Sequence, residues 1–266
     1  MHHVGKYLRM RRILNSKTNR TVIVPLDHGG YGIVEGLENL EEVVKKIVAG
    51  GANAIILQAG ALKVTYKALD SNVGVIMRIS SLSAFNSDFG FVEAVTHTLE
   101  EALMMGVDAV ITSLHVGGKY EFESLRNTGL VCEACDKWGV PCVVETYPSR
   151  DKFKRVDDPE VIIQVMRIAE EIGADIIKAY LPLDPDFMKK ASRVVHVPVV
   201  LAGGEAATPR EVLHMAKIAV EAGLAGVCFG RKVFKYKDPE AMVKALVAIV
   251  HENASVEEAL KLLPEH

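Results

Sequence analysis

The residue with the most chemistry in this chain is one lysine in an apolar run. Lys178 comes near the end of Gly173-Ala-Asp-Ile-Ile-Lys178-Ala-Tyr-Leu, which reads as a buried strand. An amine there costs free energy to bury unless it has a partner or a shifted pKa. A neutral lysine amine is also the nucleophile of Schiff-base chemistry. Tyr147 and Asp27 stand in comparable places. Tyr147 precedes Pro148, which holds its backbone extended, and Asp27 follows the apolar stretch 22–26. A lysine to attack a carbonyl, with a tyrosine and an aspartate to move protons, is a set suited to imine chemistry. Taken singly, each has a plain alternative: an ion pair for Lys178, a helix cap or lysine partner for Asp27, a rim aromatic for Tyr147.

A second constellation points to an anion. Val199-Val-Leu-Ala-Gly-Gly204 ends in two glycines, and Gly226-Val-Cys-Phe-Gly230 runs into Arg231 and a short helical segment, Lys232-Val-Phe-Lys235. Bare backbone amides at such turns bind phosphate. Gly203, Gly204, Gly230 and Arg231 are therefore the expected phosphate-binding residues. His28, beside Gly29-Gly30, joins them as a substrate-binding candidate, its alternative being to stabilise that turn.

These residues need a frame that brings strand ends together. The chain repeats one junction: an amphipathic helix, a glycine that can end it, then a short apolar run. Examples are Ala102-Leu-Met-Met-Gly106 into Val107-Asp-Ala-Val-Ile111 and Ala219-Val-Glu-Ala-Gly223 into Leu224-Ala-Gly-Val-Cys228. Runs apolar on both faces are what a parallel sheet covered by helices requires. Eight strands are expected, near 22–26, 53–58, 73–79, 108–113, 140–146, 174–179, 197–201 and 225–229. Helices are expected at 39–50, 91–105, 121–138, 158–172, 185–193, 209–222, 239–250 and 255–263, with a partial helix in 59–72. Asp158-Pro159, Asp184-Pro185, Thr208-Pro209 and Asp238-Pro239 read as N-caps followed by proline at the first helical position.

Strict alternation favours an α/β fold of the (β/α)₈ TIM-barrel type, with its active site at the C-terminal strand ends. The strand ends would then deliver Asp27 and His28; Gln58; Arg78, Ser80 and Ser81; Thr112, Ser113 and His115; Glu145 and Tyr147; Lys178; Gly203, Gly204 and Glu205; Gly230 and Arg231. No Gly/Ser-rich linker divides the 266 residues, so one domain is expected over 1–266, with 1–20 as a short N-terminal extension.

Composition narrows the function further. The chain is 49% hydrophobic and 24% charged, enough for a sizeable core, and its net charge of −3 gives no basic balance for nucleic acid. No apolar run approaches the roughly 18 residues of a membrane span. The basic segment 1–14 lacks the apolar core of a signal peptide and reads as a surface helix, so a cytoplasmic protein is expected. Of the four cysteines, Cys132 and Cys135 have redox or metal spacing but fall within a helix, with no second pair to complete a site. Buried thiols and no metal are the expectation.

Val24-Pro-Leu-Asp-His-Gly29, Tyr147-Pro148, Ala174-Asp-Ile-Ile-Lys178, Val200-Leu-Ala-Gly-Gly204 and Gly230-Arg-Lys-Val-Phe234 together resemble the archaeal-type class I aldolases. That family includes class I fructose-bisphosphate aldolase, 2-amino-3,7-dideoxy-D-threo-hept-6-ulosonate synthase and a thiolase acting on a phosphorylated autoinducer product. The resemblance runs in order from about residue 5 to residue 262. It implies Lys178 as the Schiff-base lysine, Tyr147 as general acid/base, Asp27 as its assistant, and Gly204, Gly230 and Arg231 as the phosphate cradle. It further implies a phosphorylated sugar substrate, no cofactor beyond the covalent imine, and a homo-oligomer, often a decamer.

Three positions depart from the family. Lys178 is followed by Ala179-Tyr-Leu rather than Thr-x-Tyr. Glu145 replaces a tryptophan usual in the bisphosphate aldolases, and Ile79-Ser-Ser-Leu-Ser83 replaces a glycine-bearing turn. These leave the imine chemistry in place and bear on the acceptor. They keep open cleavage or formation of a phosphorylated ketose, transfer to an aspartate-derived semialdehyde, and a non-catalytic phosphosugar-binding barrel. The roles of Glu145, Arg78 and His115 are left unassigned.

Overall fold

The computed structural model describes residues 4–81, 93–204 and 207–264. The chain opens with helix α1 (Val4–Ile13) and then alternates strands and helices. In order these are β1 (Thr21–Pro25), α2 (Leu40–Ala49), β2 (Ala54–Gln58), α3 (Ala59–Thr65), β3 (Gly74–Arg78), β4 (Ser80–Ser81), β5 (Ala94–Val95), α4 (Leu99–Met104) and β6 (Ala109–Val116). There follow α5 (Glu121–Trp138), β7 (Cys142–Pro148), α6 (Pro159–Ile172), β8 (Ile176–Ala179), α7 (Pro185–Val194) and β9 (Val199–Ala202). The last elements are α8 (Pro209–Glu221), β10 (Gly226–Cys228), α9 (Arg231–Phe234), α10 (Pro239–Glu252) and α11 (Val256–Leu260).

Among the described residues, parallel pairing closes β1-β10-β9-β8-β7-β6-β3-β2 into a barrel with helices between the strands. This is the expected (β/α)₈ architecture, and each of the eight barrel strands overlaps one of the eight apolar runs. The four cap-and-proline signals hold as well. Asp158, Asp184, Thr208 and Asp238 each accept a backbone N–H in the first turn of α6, α7, α8 and α10. No helix among the described residues is long and apolar enough to cross a membrane.

One helix was expected too long. Of the helix expected over 91–105, residues 91 and 92 lie outside the described residues, and α4 begins only at Leu99, capped by Thr98, which accepts from the Glu101 N–H at 3.2 Å. Ala94–Val95 ahead of it pairs antiparallel with Ser80–Ser81. Acidic residues near 100 suit a helix start, and the propensity of that turn was carried back too far along the chain.

Two apolar layers hold the barrel. The larger lies between strands and helices. The smaller fills the barrel itself, with Ile23, Ile56, Ile76, Ile111, Val143, Ile176 and Val200 meeting Ile13 of α1. Ile13 thus plugs the N-terminal end, and its full burial contributes about 1.5–3 kcal/mol. Polar bonds keep α1 there: Lys6 to Asp175 at 2.9 Å and to Asp136, Arg9 to the Gly139 carbonyl at 3.1 Å, and Arg12 to Asp108 at 2.6 Å. The thiols are buried as expected, Cys132 and Cys142 lying 3.6 Å apart between α5 and β7.

Candidate active site

Inward side chains recur every second residue along a strand. The barrel's apolar layer therefore gives way to a polar one two residues further along. Ile56 leads to Gln58, Ile76 to Arg78, Ile111 to Ser113, Val143 to Glu145 and Ile176 to Lys178. Another step of two reaches His115, Tyr147 and Tyr180. Strand register puts Gln58 opposite Arg78, Ser113 opposite Glu145, and Glu145 opposite Lys178.

Arg78 is the centre of the charged layer, its side chain only 6% exposed. Its Nε donates to Asp27, Nη1 to Glu93 at 3.1 Å and Ser113 at 3.0 Å, and Nη2 to Glu145. Glu93 also accepts from Ser113 at 2.8 Å and from Ser80. Burial favours the neutral forms of Glu145 and Asp27, yet the surrounding cations overcome it. Lys178 and Arg78 hold the Glu145 carboxyl at about 2. Arg78, then Lys178, likewise hold Asp27 below the usual aspartate value against its burial.

Lys178 lies 2.7 Å from Glu145 Oε1, and the same oxygen accepts the Tyr147 hydroxyl at 2.6 Å. Burial pushes the amine down, but the Glu145 carboxylate outweighs it and raises its pKa. This corrects the expectation of a neutral amine: in this arrangement Lys178 is an ammonium ion. A lone lysine in an apolar strand would lose its proton; one facing an ionised carboxylate keeps it. Tyr147 stays a hydroxyl, because burial and Glu145 both raise its pKa. Its ring stacks on His115 with centroids 4.8 Å apart and leans on Tyr180 at 5.7 Å. Nearby, burial pushes the Cys228 thiol up to about 12.

The anion-binding candidates meet at the adjoining mouth of β9 and β10. A Cβ on Gly203 would come within 3.3 Å of the Phe229 Cα, so the two turns lie against each other. A Cβ on Gly230 would stand 2.9 Å from the Pro25 carbonyl oxygen, a backbone atom that cannot swing aside. Gly204 has φ +67°, a left-handed value that suits glycine. His28 sits over Gly230 and packs edge-on against Phe234, ring centroids 5.1 Å apart. Arg231 opens the single turn of α9. Glu205 lies outside the described residues.

All the candidates therefore gather at one end of the barrel, in two adjoining groups. Lys178, Tyr147 and Asp27 belong to the charged layer, and His28, Gly203, Gly204, Gly230 and Arg231 to the glycine mouth. Hydrogen bonds tie Tyr147 to Glu145 and Asp27 to Arg78. Sequence reasoning noticed Arg78 and Glu145 at strand ends without seeing that they hold the layer together. It missed Glu93 by placing it in a helix. Its sequence neighbours carry no signal that aims it at Arg78; the antiparallel pairing of Ala94–Val95 with Ser80–Ser81 does that.

Comparison with known proteins bears on what this site belongs to. The model of a family described as DeoC/LacD family aldolase matches residues 21–236, a span holding every candidate above. The chain is 34% identical over 259 residues to 2-amino-3,7-dideoxy-D-threo-hept-6-ulosonate synthase 1 of Archaeoglobus fulgidus, covering 97% of this chain and 95% of that one. It is 33% identical over 259 residues to a 3-hydroxy-5-phosphonooxypentane-2,4-dione thiolase of Photorhabdus laumondii, covering 97% and 86%. Among solved structures, a Schiff-base-forming fructose-1,6-bisphosphate aldolase matches with a TM-score of 0.83 at 25% identity, covering 92% of this chain and 100% of that one. With a closed barrel and a charged layer at its C-terminal end, this chain belongs to the DeoC/LacD family of aldolases.

Proposed function

We propose that the chain is a class I aldolase that makes or breaks a carbon–carbon bond in a phosphorylated ketose such as fructose 1,6-bisphosphate. One observation carries this reading. Lys178 is buried at the end of β8, with its Nζ 2.7 Å from an oxygen of Glu145 that also accepts the Tyr147 hydroxyl. Lys178 attacks the ketose carbonyl, giving a carbinolamine and then an iminium. Tyr147 and Asp27 serve the proton transfers. Carbon–carbon cleavage leaves an enamine, which is protonated or captured by another aldehyde. The phosphate rests on Gly203, Gly204, Gly230 and Arg231, with His28 beside them. The iminium is itself the electron sink, so the chemistry calls on no other cofactor.

The test is borohydride reduction in the presence of fructose 1,6-bisphosphate or dihydroxyacetone phosphate, followed by mass spectrometry of the lysine peptides. A stable adduct on Lys178 and loss of turnover in Lys178→Met are expected. Undiminished turnover in that variant would overturn the reading. A second reading is a transfer of a three-carbon unit to aspartate semialdehyde. It draws on the Archaeoglobus relative and on Glu145, which stands where bisphosphate aldolases usually carry tryptophan. Product analysis with each substrate pair separates the two.

A further inference from the structure

Glu145 has no role in the reaction as written above, yet it touches both groups that do. Its Oε1 lies 2.7 Å from Lys178 Nζ and 2.6 Å from the Tyr147 hydroxyl, while Arg78 Nη2 holds Oε2. The side chain is 3% exposed, so bulk water does not mediate between these partners. One oxygen bonded to the nucleophile on one side and to an acid on the other is the geometry of a proton carrier.

We propose that Glu145 is a catalytic residue that carries protons from the Lys178 amine to the Tyr147 hydroxyl during imine formation, an inference that rests on the imine reading. The Lys178 ammonium gives a proton to Glu145, and the freed amine attacks the carbonyl carbon as the C=O π bond opens. The alkoxide takes the Tyr147 proton, and Glu145 restores it. The new N–H⁺ then gives a second proton to Glu145. The carbinol oxygen leaves as water with a proton from Tyr147, which Glu145 again replaces. The nitrogen has lost two protons, the water has gained two, and Glu145 and Tyr147 end as they began. Arg78, bonded to the other carboxylate oxygen, keeps Oε1 turned to its two partners.

A mere counterion would act in the opposite direction. A carboxylate that only holds Lys178 protonated slows its attack, so removing the charge would leave adduct formation as fast or faster. The relay demands that removal slow it. The measurement is the rate of borohydride-trappable adduct formation with dihydroxyacetone phosphate in wild type, Glu145→Gln, Tyr147→Phe and the double variant. Each single change is expected to slow the adduct by ~10²–10⁴-fold. The double variant should be about as slow as the slower single one, because the two residues act as a unit. Should Glu145→Gln fail to fold, Glu145→Asp keeps the charge, shortens the reach and is expected to slow the adduct as well.

Glu145→Gln, or Glu145→Asp in its stead, trapping at the wild-type rate or faster would overturn the relay and leave the imine reading standing. Multiplying effects in the double variant would do the same. A wild-type chain that forms no adduct would overturn both.

Discussion

At the N-terminal end of the barrel, Lys6 reaches Asp136 and Asp175, and Arg12 reaches Asp108. At the C-terminal end, Lys178 reaches Glu145, and Arg78 reaches Asp27, Glu93 and Glu145. The residue types are the same and their settings differ. Asp136 is 63% exposed and Arg12 47%, whereas Lys178 and Glu145 are 7% and 3% exposed. The acids respond in opposite directions. Burial outweighs the partners of Asp108 and Asp175 and raises both. At the other end the cations outweigh burial and lower Glu145 and Asp27. A lysine–carboxylate pair is therefore not by itself a sign of chemistry. What marks the C-terminal end is that its pairs lie on inward strand positions and share partners, so each charge depends on several others.

Removing the hub should break that interdependence most severely. Arg78→Met leaves three buried carboxylates without their common cation and is expected to cost about 3–5 kcal/mol, read from urea unfolding, with loss of turnover. A variant as stable as wild type would mean that the charged layer does not depend on Arg78.

Acid should separate the two ends next. The Glu145 carboxyl lies at about 2 against an ordinary 4.5, so its contribution is complete above the ordinary value and lost as the pH falls through about 2. Asp27 adds a loss of the same sign. Asp108 and Asp175 are raised, so protonating them favours the folded chain as the pH falls. The urea midpoint of wild type is expected to drop through this range, less steeply in Glu145→Gln and more steeply in Asp108→Asn. Equal slopes in all three would erase the distinction between the ends.

Smaller effects test the glycine mouth and the base. A Cβ at position 230 would meet the Pro25 carbonyl oxygen at 2.9 Å, so Gly230→Ala must shift backbone at the mouth. Its expected effect is a rise in KM for the phosphorylated ketose of about tenfold or more, equivalent to about 1.4 kcal/mol of binding. An unchanged KM would detach this turn from the substrate. At the base, Lys6→Ala removes two pairs, one to the largely exposed Asp136 and one to the more buried Asp175. A loss of about 1–2 kcal/mol with unchanged turnover is expected from thermal unfolding and assay. Lost turnover there would show that the two ends are coupled.

Much of this could be read along the chain. The apolar runs, the capping residues before each proline and the alternation of helix and strand are local, and local physics decides them: side-chain packing in strands, orphan N–H groups at helix starts. Strand ends carry the polar residues wherever the strands finish, so Lys178, Tyr147 and Asp27 were visible as candidates before any folding. The charge on Lys178 was not. It depends on which carboxylate stands opposite the amine, and that follows from the register of β7 against β8. Nor could Glu93 be found from its neighbours, since only the pairing of β4 with β5 turns that stretch back toward Arg78. The sequence by itself determined the elements and the residue types at their ends. Closure of the barrel decided which of those charges share a buried space, because electrostatic partners separated by 51 and 67 residues are set by tertiary geometry alone.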